Sequence, residues 1–299
     1  MYKRIAVMFA VLLVLIIVAS SLYASQDTYV DISYGSSPAQ KLDIFLPDGF
    51  KAPYPVIISI HGGGWCGGDK TGPDTEIAKA GLKRGYAVVA VNYRLSGEAI
   101  APAQIQDVKA AIRFIRANAG KYHLDPNKLA VWGSSAGGAL AALAGTSSGV
   151  QELQDLSMGY TRFSDRVQAV VDWCGPVDLA TMDQQFKTSG INGEKMDVLD
   201  SYGSKYVGDR ITLVPELVQL VNAANYITPD DPPFYIQHGT ADTLVPYQQS
   251  TELAKKLEAV LGKDKVQLVT MPDMGHDGHG FTNPESISHV LDFLDKTLK

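Results

Sequence analysis

A mostly parallel mixed α/β sheet, with helices on both faces and a lid-like insertion, is the fold class this sequence predicts, and three observations lead to it. Short apolar runs rich in β-branched residues recur along the chain; stretches of helical period separate them; and two neighbouring strand-like segments near the start precede this alternation. With 45% hydrophobic and 19% charged residues over 299 positions, the composition is that of an ordinary globular protein with ample material for a core.

The elements follow in order. Tyr29–Tyr34 and Lys41–Leu46 are close enough to pair as an antiparallel hairpin, which makes the sheet mixed. Residues 54–60, Tyr-Pro-Val-Ile-Ile-Ser-Ile, read as a strand buried on both faces and run into a glycine cluster. Ala87–Val91, Lys128–Trp132, Val167–Trp173, Phe234–Gln237 and Val266–Thr270 repeat the pattern. Between them Ile105, Val108, Ile112 and Ile115 form one helical stripe, and Leu253, Leu257 and Leu261 another. Residues 178–231 are long, polar and glycine-containing, with helical period around Val214–Val221, and are expected as an insertion over the active site. No linker-like composition divides the rest, so residues 25–299 are expected to form one domain.

The first 24 residues stand apart. Lys3 and Arg4 precede an apolar run from Ile5 to Ala19 and then small and polar residues, the layout of a secretory signal cleaved near Ala24. An uncleaved anchor is the alternative, so the expected location is secreted or periplasmic, or membrane-anchored if cleavage fails. Without residues 1–24 the chain loses two basic and no acidic residues, taking the formal charge from −6 to −8. An acidic chain with no basic patch argues against nucleic acid as a partner. The two cysteines, Cys66 and Cys174, are too few for a disulfide scaffold but allow one bridge, and the alternative is two free thiols.

The chemistry is carried by four segments. Gly133-Ser-Ser135-Ala-Gly137 follows a strand and opens a small-residue helix, Gly138–Ala144, which is the setting of a nucleophile elbow with Ser135 at its tip. His61-Gly62-Gly63-Gly64-Trp65 follows the 54–60 strand, where backbone N–H groups can stabilise an oxyanion; Gly63 and Gly64, with Ala136, are the expected donors. A phosphate-binding loop is the rival, but the Walker Lys-Ser/Thr is missing. His61 is expected to brace the loop. Asp242 lies in a turn after a strand and His276 follows the next, completing the chain order Ser135, Asp242, His276. His279 competes with His276 for the role of base, and a metal site of the two histidines with Asp273 or Asp277 is the remaining alternative. Trp65 and Trp173 are candidates to line the pocket, with a core position as the other reading of each. His123 and His289 read as surface residues and His238 as structural.

These motifs, together with Val-Asn-Tyr-Arg-Leu-Ser, Trp-Gly-Ser-Ser-Ala-Gly-Gly and Ala-Val-Val-Asp-Trp-Cys-Gly-Pro, resemble the α/β-hydrolase serine esterase superfamily from about residue 30 onward. The likeness is greatest to its bacterial feruloyl-esterase-like and acetyl-xylan-esterase-like group. The resemblance implies an α/β-hydrolase fold and an acyl-enzyme mechanism on acetyl, feruloyl or other short acyl esters, with no metal or organic cofactor. It also favours His276 over His279, because relatives end in a Gly-His followed by Gly-Phe, as at Gly275-His276 and Gly280-Phe281. Cys66 and Trp173-Cys174 depart from the usual residues of these loops. The rival functions are a serine peptidase of the same fold, against which no extra gating domain is visible, and a non-catalytic binding protein, against which every triad position is filled.

Overall fold

The computed structural model describes residues 28–276 and 279–299, with His279 and Gly280 described in their backbone alone. The leader expected over residues 1–24, the side chain of Asp277 and that of His279 lie outside the described residues. Eight strands form one sheet: β1 (Thr28–Ser33), β2 (Lys41–Phe45), β3 (Tyr54–Ile60), β4 (Ala87–Val91), β5 (Leu124–Ser134), β6 (Ala169–Trp173), β7 (Phe234–Gly239) and β8 (Val266–Met271). Their spatial order is β1-β2-β4-β3-β5-β6-β7-β8. β2 pairs antiparallel with both β1 and β4, and every other pairing is parallel. The hairpin and the mixed sheet are therefore where the sequence puts them.

Helices α1 (Pro73–Ala78), α2 (Ala103–Ala117), α3 (Ala136–Thr146), α4 (Met182–Ser189), α5 (Tyr202–Val207), α6 (Pro215–Leu220), α7 (Gln248–Leu261), α8 (His279–Thr282) and α9 (Pro284–Leu298) complete the chain. The alternation of strand side chains sorts them into two layers. Val56, Ile58, Ile60 and Val131 face a core with Ile105, Ile112 and Ile115 of α2, Leu140 of α3 and Leu253 and Leu257 of α7. Ile57, Val88, Trp132, Val171 and Tyr235 face the opposite core, closed by Leu82 and by Val290, Leu291, Leu294 and Leu298 of α9. Burial on both faces explains why the central strands are uninterrupted apolar runs. α9 is held at its start by Asn283, whose side chain accepts from the Ser286 N–H at 2.8 Å.

α2 departs from a simple stripe, because Asp107, Lys109 and Arg113 are buried with the apolar residues. Each finds a partner: Asp107 takes Arg94 Nη2 at 2.7 Å and Gln40 Nε2 at 2.8 Å, Lys109 pairs with Asp165 at 3.2 Å, and Arg113 donates to the Asp155 carbonyl at 2.8 Å. Buried charges persist only when so paired. The possible Cys66–Cys174 bridge is absent: both thiols are free, Cys66 in solvent and Cys174 buried. Among the described residues no helix is long and apolar enough to cross a membrane.

Candidate active site

All the parts of the site sit beyond the carboxyl ends of strands. β5 ends at Ser134, and Ser135 turns the chain into α3 with φ 53 and ψ −123, a conformation that a side-chain-bearing residue rarely adopts. The turn is pinned by the Ser135 N–H, which donates to the Trp173 carbonyl at 2.8 Å. Its flanking glycines are required by close approach: a Cβ at Gly133 would lie 2.3 Å from the Gly137 backbone, and one at Gly137 would lie 2.1 Å from the Ile60 carbonyl oxygen. Small side chains are thus a packing condition for the elbow to reach β3.

The loop after β3 is fixed at both ends. The His61 ring stacks on Tyr93 with centroids 4.3 Å apart, and the Tyr93 hydroxyl donates to the His61 carbonyl at 2.9 Å. Burial holds the His61 pKa below its ordinary value, in keeping with a brace. Further on, Asn92 accepts from the Lys70 N–H at 2.5 Å and donates to Asp69 at 2.7 Å, while the Lys70 ammonium meets buried Asp43 at 2.7 Å. In between, the Gly62 N–H donates to Asp74 Oδ2 at 3.0 Å, and the Ser134 hydroxyl donates to Oδ1 of the same carboxylate at 2.5 Å. Asp74 therefore ties the glycine loop to the elbow. Among the described residues no acceptor takes the N–H of Gly63, Gly64 or Ala136.

Asp242 is fully buried in the turn after β7. Its Oδ1 accepts from the Leu244 and Val245 N–H groups at 2.8 and 2.9 Å, and its Oδ2 meets His276 Nδ1 at 2.7 Å and His238 Nε2 at 3.1 Å. Desolvation alone would raise its pKa, but the hydrogen bonds from His238 and His276 outweigh it and hold the carboxyl well below the usual carboxylate range. Because a carboxylate only accepts, the proton of His276 sits on Nδ1 and its Nε2 is left basic. Burial of His276 disfavours its charged form, yet the adjacent Cys174 sulfur and Asp242 carboxylate prevail and raise its pKa above 6.5. His238 Nε2 also faces the Val245 carbonyl at 3.0 Å, so it carries a proton and Nδ1 accepts from Ser250 at 2.7 Å.

Ser135 and His276 line one cavity of about 900 Å³ with Gly63 and Gly64, although no hydrogen bond joins the serine hydroxyl to the imidazole. Such contacts are often long before substrate arrives. Ile77, Trp173 and Phe281 give it an apolar wall, and Glu194 and Tyr202 come from the 178–231 segment. That segment is tied to the loop bearing Asp242, since the Glu194 N–H donates to the Thr243 carbonyl at 2.9 Å and the Tyr202 hydroxyl to the Leu244 carbonyl at 2.8 Å. Trp65 is corrected: it does not line the cavity but is 1% exposed and stacked on Tyr206, centroids 4.1 Å apart. Sequence reasoning missed Asp74, the second contact that His238 makes to Asp242, and Cys174, whose sulfur is 4.0 Å from the His276 carbonyl and within 4.8 Å of a ring nitrogen. The alternative metal group of His276, His279 and Asp273 or Asp277 rests on the His279 side chain, which lies outside the described residues; among the described side chains Cys174, Asp242 and His276 cluster.

A profile of the BD-FAE family matches residues 42–257. Esterase LipC of Mycobacterium tuberculosis is 32% identical over 82% of this chain, and the chain spans 58% of LipC's length. A solved bifunctional GH43-CE protein of Bacteroides eggerthii is 35% identical with TM-score 0.82 over 91% of this chain and 38% of its own. A truncated carbohydrate esterase from gut microbiota is 33% identical with the same TM-score, over 91% of this chain and 96% of its own.

Proposed function

The chain belongs to the BD-FAE family of the α/β-hydrolase serine esterases, and from that premise we propose that it is an exported carboxylic-ester hydrolase working through an acyl-enzyme at Ser135. The observation that carries the reading is the hydrogen-bonded Asp242–His276 pair facing the same cavity as Ser135, with unclaimed N–H groups at Gly63, Gly64 and Ala136. His276 Nε2 takes the Ser135 proton as the oxygen attacks the ester carbonyl, and the three amides receive the oxyanion. The imidazolium then protonates the departing alcohol. Water, deprotonated by the same nitrogen, attacks the acyl-serine and releases the acid. Asp242 stays ionised throughout, consistent with its depressed pKa.

The substrates we infer are short acyl or plant-polysaccharide-linked esters, acetyl or feruloyl, in line with the carbohydrate esterases this chain is similar to. The apolar wall of Ile77, Trp173 and Phe281 suits an acyl methyl or an aromatic ring. Among the described residues carboxylates but no Lys or Arg line the cavity, which suits uncharged esters. Export is proposed from Lys3, Arg4 and the apolar run that follows them. The test is a panel of acetyl, butyryl and feruloyl esters, acetylated xylan and a matched amide, run on wild type and Ser135→Ala, with fluorophosphonate labelling of separate samples of each. Ester turnover and a label on Ser135, both lost in the variant, are expected. Faster amide than ester turnover would favour a peptidase, and no label with no turnover would favour a binding protein.

A further inference from the structure

Cys174 occupies the site without a part in the acyl chemistry. It follows β6, is 2% exposed, and is held at φ 45, a left-handed conformation that a side-chain-bearing residue keeps only where its surroundings impose it. Its sulfur, a ring nitrogen of His276 and a carboxylate oxygen of Asp242 all lie within 4.8 Å of one another. We propose that these three side chains form a binding site for a thiophilic divalent cation, Zn²⁺ or Cd²⁺, whose occupation shuts the active site reversibly.

The geometry is close to what such an ion needs. Zinc bonds of about 2.3 Å to sulfur and about 2.0–2.2 Å to nitrogen and oxygen place tetrahedral ligands roughly 3.3–3.8 Å apart. Pairs at the 4.8 Å limit must therefore close by about 1 Å, and the 2.7 Å Asp242–His276 contact must open by roughly half that. The ligands stand on three separate loops, after β6, β7 and β8, so each side chain can adjust without moving a strand. One sulfur, one nitrogen and one oxygen donor select zinc or cadmium over magnesium or calcium. Cys174 and His276 border the cavity, which leaves the fourth position open to water.

Binding replaces the Cys174 S–H bond by a metal–sulfur bond and the His276 Nδ1–H bond by a metal–nitrogen bond; the thiol proton leaves to solvent, the ring proton passes to Nε2, and no oxidation state changes. With Nε2 protonated, His276 has no basic nitrogen left to serve Ser135. Glu194 and Asp69 at the cavity add a negative field that favours a dication over an anion.

The chain has two cysteines, so Cys66→Ser leaves Cys174 as its sole thiol and assigns any metal–sulfur bond without a change in the site. The experiment titrates Cd²⁺ and Co²⁺ into full-length wild type, Cys66→Ser and Cys174→Ser, reading the sulfur-to-metal charge-transfer absorption in the ultraviolet. The expected result is one cation per chain with this band in wild type and Cys66→Ser, and no band in Cys174→Ser with Zn²⁺ affinity weaker by about ten-fold or more. Ester turnover should fall over the same Zn²⁺ range and return with chelator; only this arm rests on the esterase reading. A Cys66→Ser chain without the band overturns the proposal even if Cys174→Ser does not fold. Equal Zn²⁺ inhibition of wild type and Cys174→Ser overturns it as well.

Discussion

Removing the Asp74 carboxylate should slow catalysis while leaving substrate binding nearly unchanged. Asp74 holds the Gly62 N–H at 3.0 Å and the Ser134 hydroxyl at 2.5 Å, one on the loop that presents Gly63 and Gly64, the other next to the proposed nucleophile. In Asp74→Ala both donors lose their acceptor, and the glycine loop is no longer tied to the elbow at this point. Hydrogen bonds to charged groups contribute about 1.5–3 kcal/mol each, and Asp74 is only half-buried, so the stability loss belongs near the lower figure in total. The catalytic ceiling is set by losing one oxyanion donor outright, about 2.7–4 kcal/mol. Here the amides are misplaced rather than deleted, so kcat should fall about 10- to 100-fold, or roughly 1.4–2.7 kcal/mol. Since the oxyanion exists only in the transition state, kcat and kcat/KM should fall together. Steady-state rates on an acetyl ester, with a thermal midpoint for each variant, make the measurement. Ser134→Ala, which keeps the Gly62 contact, should lose less. A folded Asp74→Ala within two-fold of wild type in kcat, or a loss confined to KM, would refute the reasoning.

His276→Ala should lose ester turnover as severely as Ser135→Ala, with His279→Ala far milder, and reversed phenotypes in the rate assay would move the base to His279. Because His276 must be neutral to accept a proton and its pKa is raised, activity should climb with pH through a midpoint above 6.5; Asp242→Asn should shift that limb to lower pH and cut kcat by about 10⁴-fold. Asp242, depressed in the fold, contributes stability that is present above its unfolded value near 4 and is lost as pH falls through its folded value, so acid unfolding should be steeper in wild type than in Asp242→Asn when followed by circular dichroism.

What the sequence made legible was whatever is written locally. The strand runs, the elbow and the glycine loop each combine a residue pattern with the element next to it; chain order then points to Asp242 and to the His276 and His279 pair, between which the family resemblance favours His276. Trp65 was harder, because at φ 57 the turn after Gly64 folds it back onto Tyr206, a helix some 140 positions further along the chain. Asp74 sits in an ordinary Pro-Asp helix start, which reads as a cap; its bond to Ser134 spans 60 positions and exists only because β3 and β5 are neighbours in the sheet. His238 carried a usable signal, since it lies four residues before Asp242 at the end of the strand that delivers it. Cys174 carried none for its contact with His276, 102 positions away, across the β6–β7–β8 edge.

The division between fixed and free groups follows from this placement. Each part of the site leaves a different strand, and the central strands are buried on both faces, so their carboxyl ends have little room to move relative to one another. The polar groups that set positions are all satisfied: both oxygens of Asp242 accept two contacts, both oxygens of Asp74 accept one, and the Ser135 N–H is taken by Trp173. The Gly63, Gly64 and Ala136 amides are left without an acceptor, and the Ser135 hydroxyl without a bond to His276. Those are the groups an acyl-transfer transition state would engage. Orienting them is done during folding rather than at the moment of reaction, which is the condition under which aimed dipoles lower a barrier most.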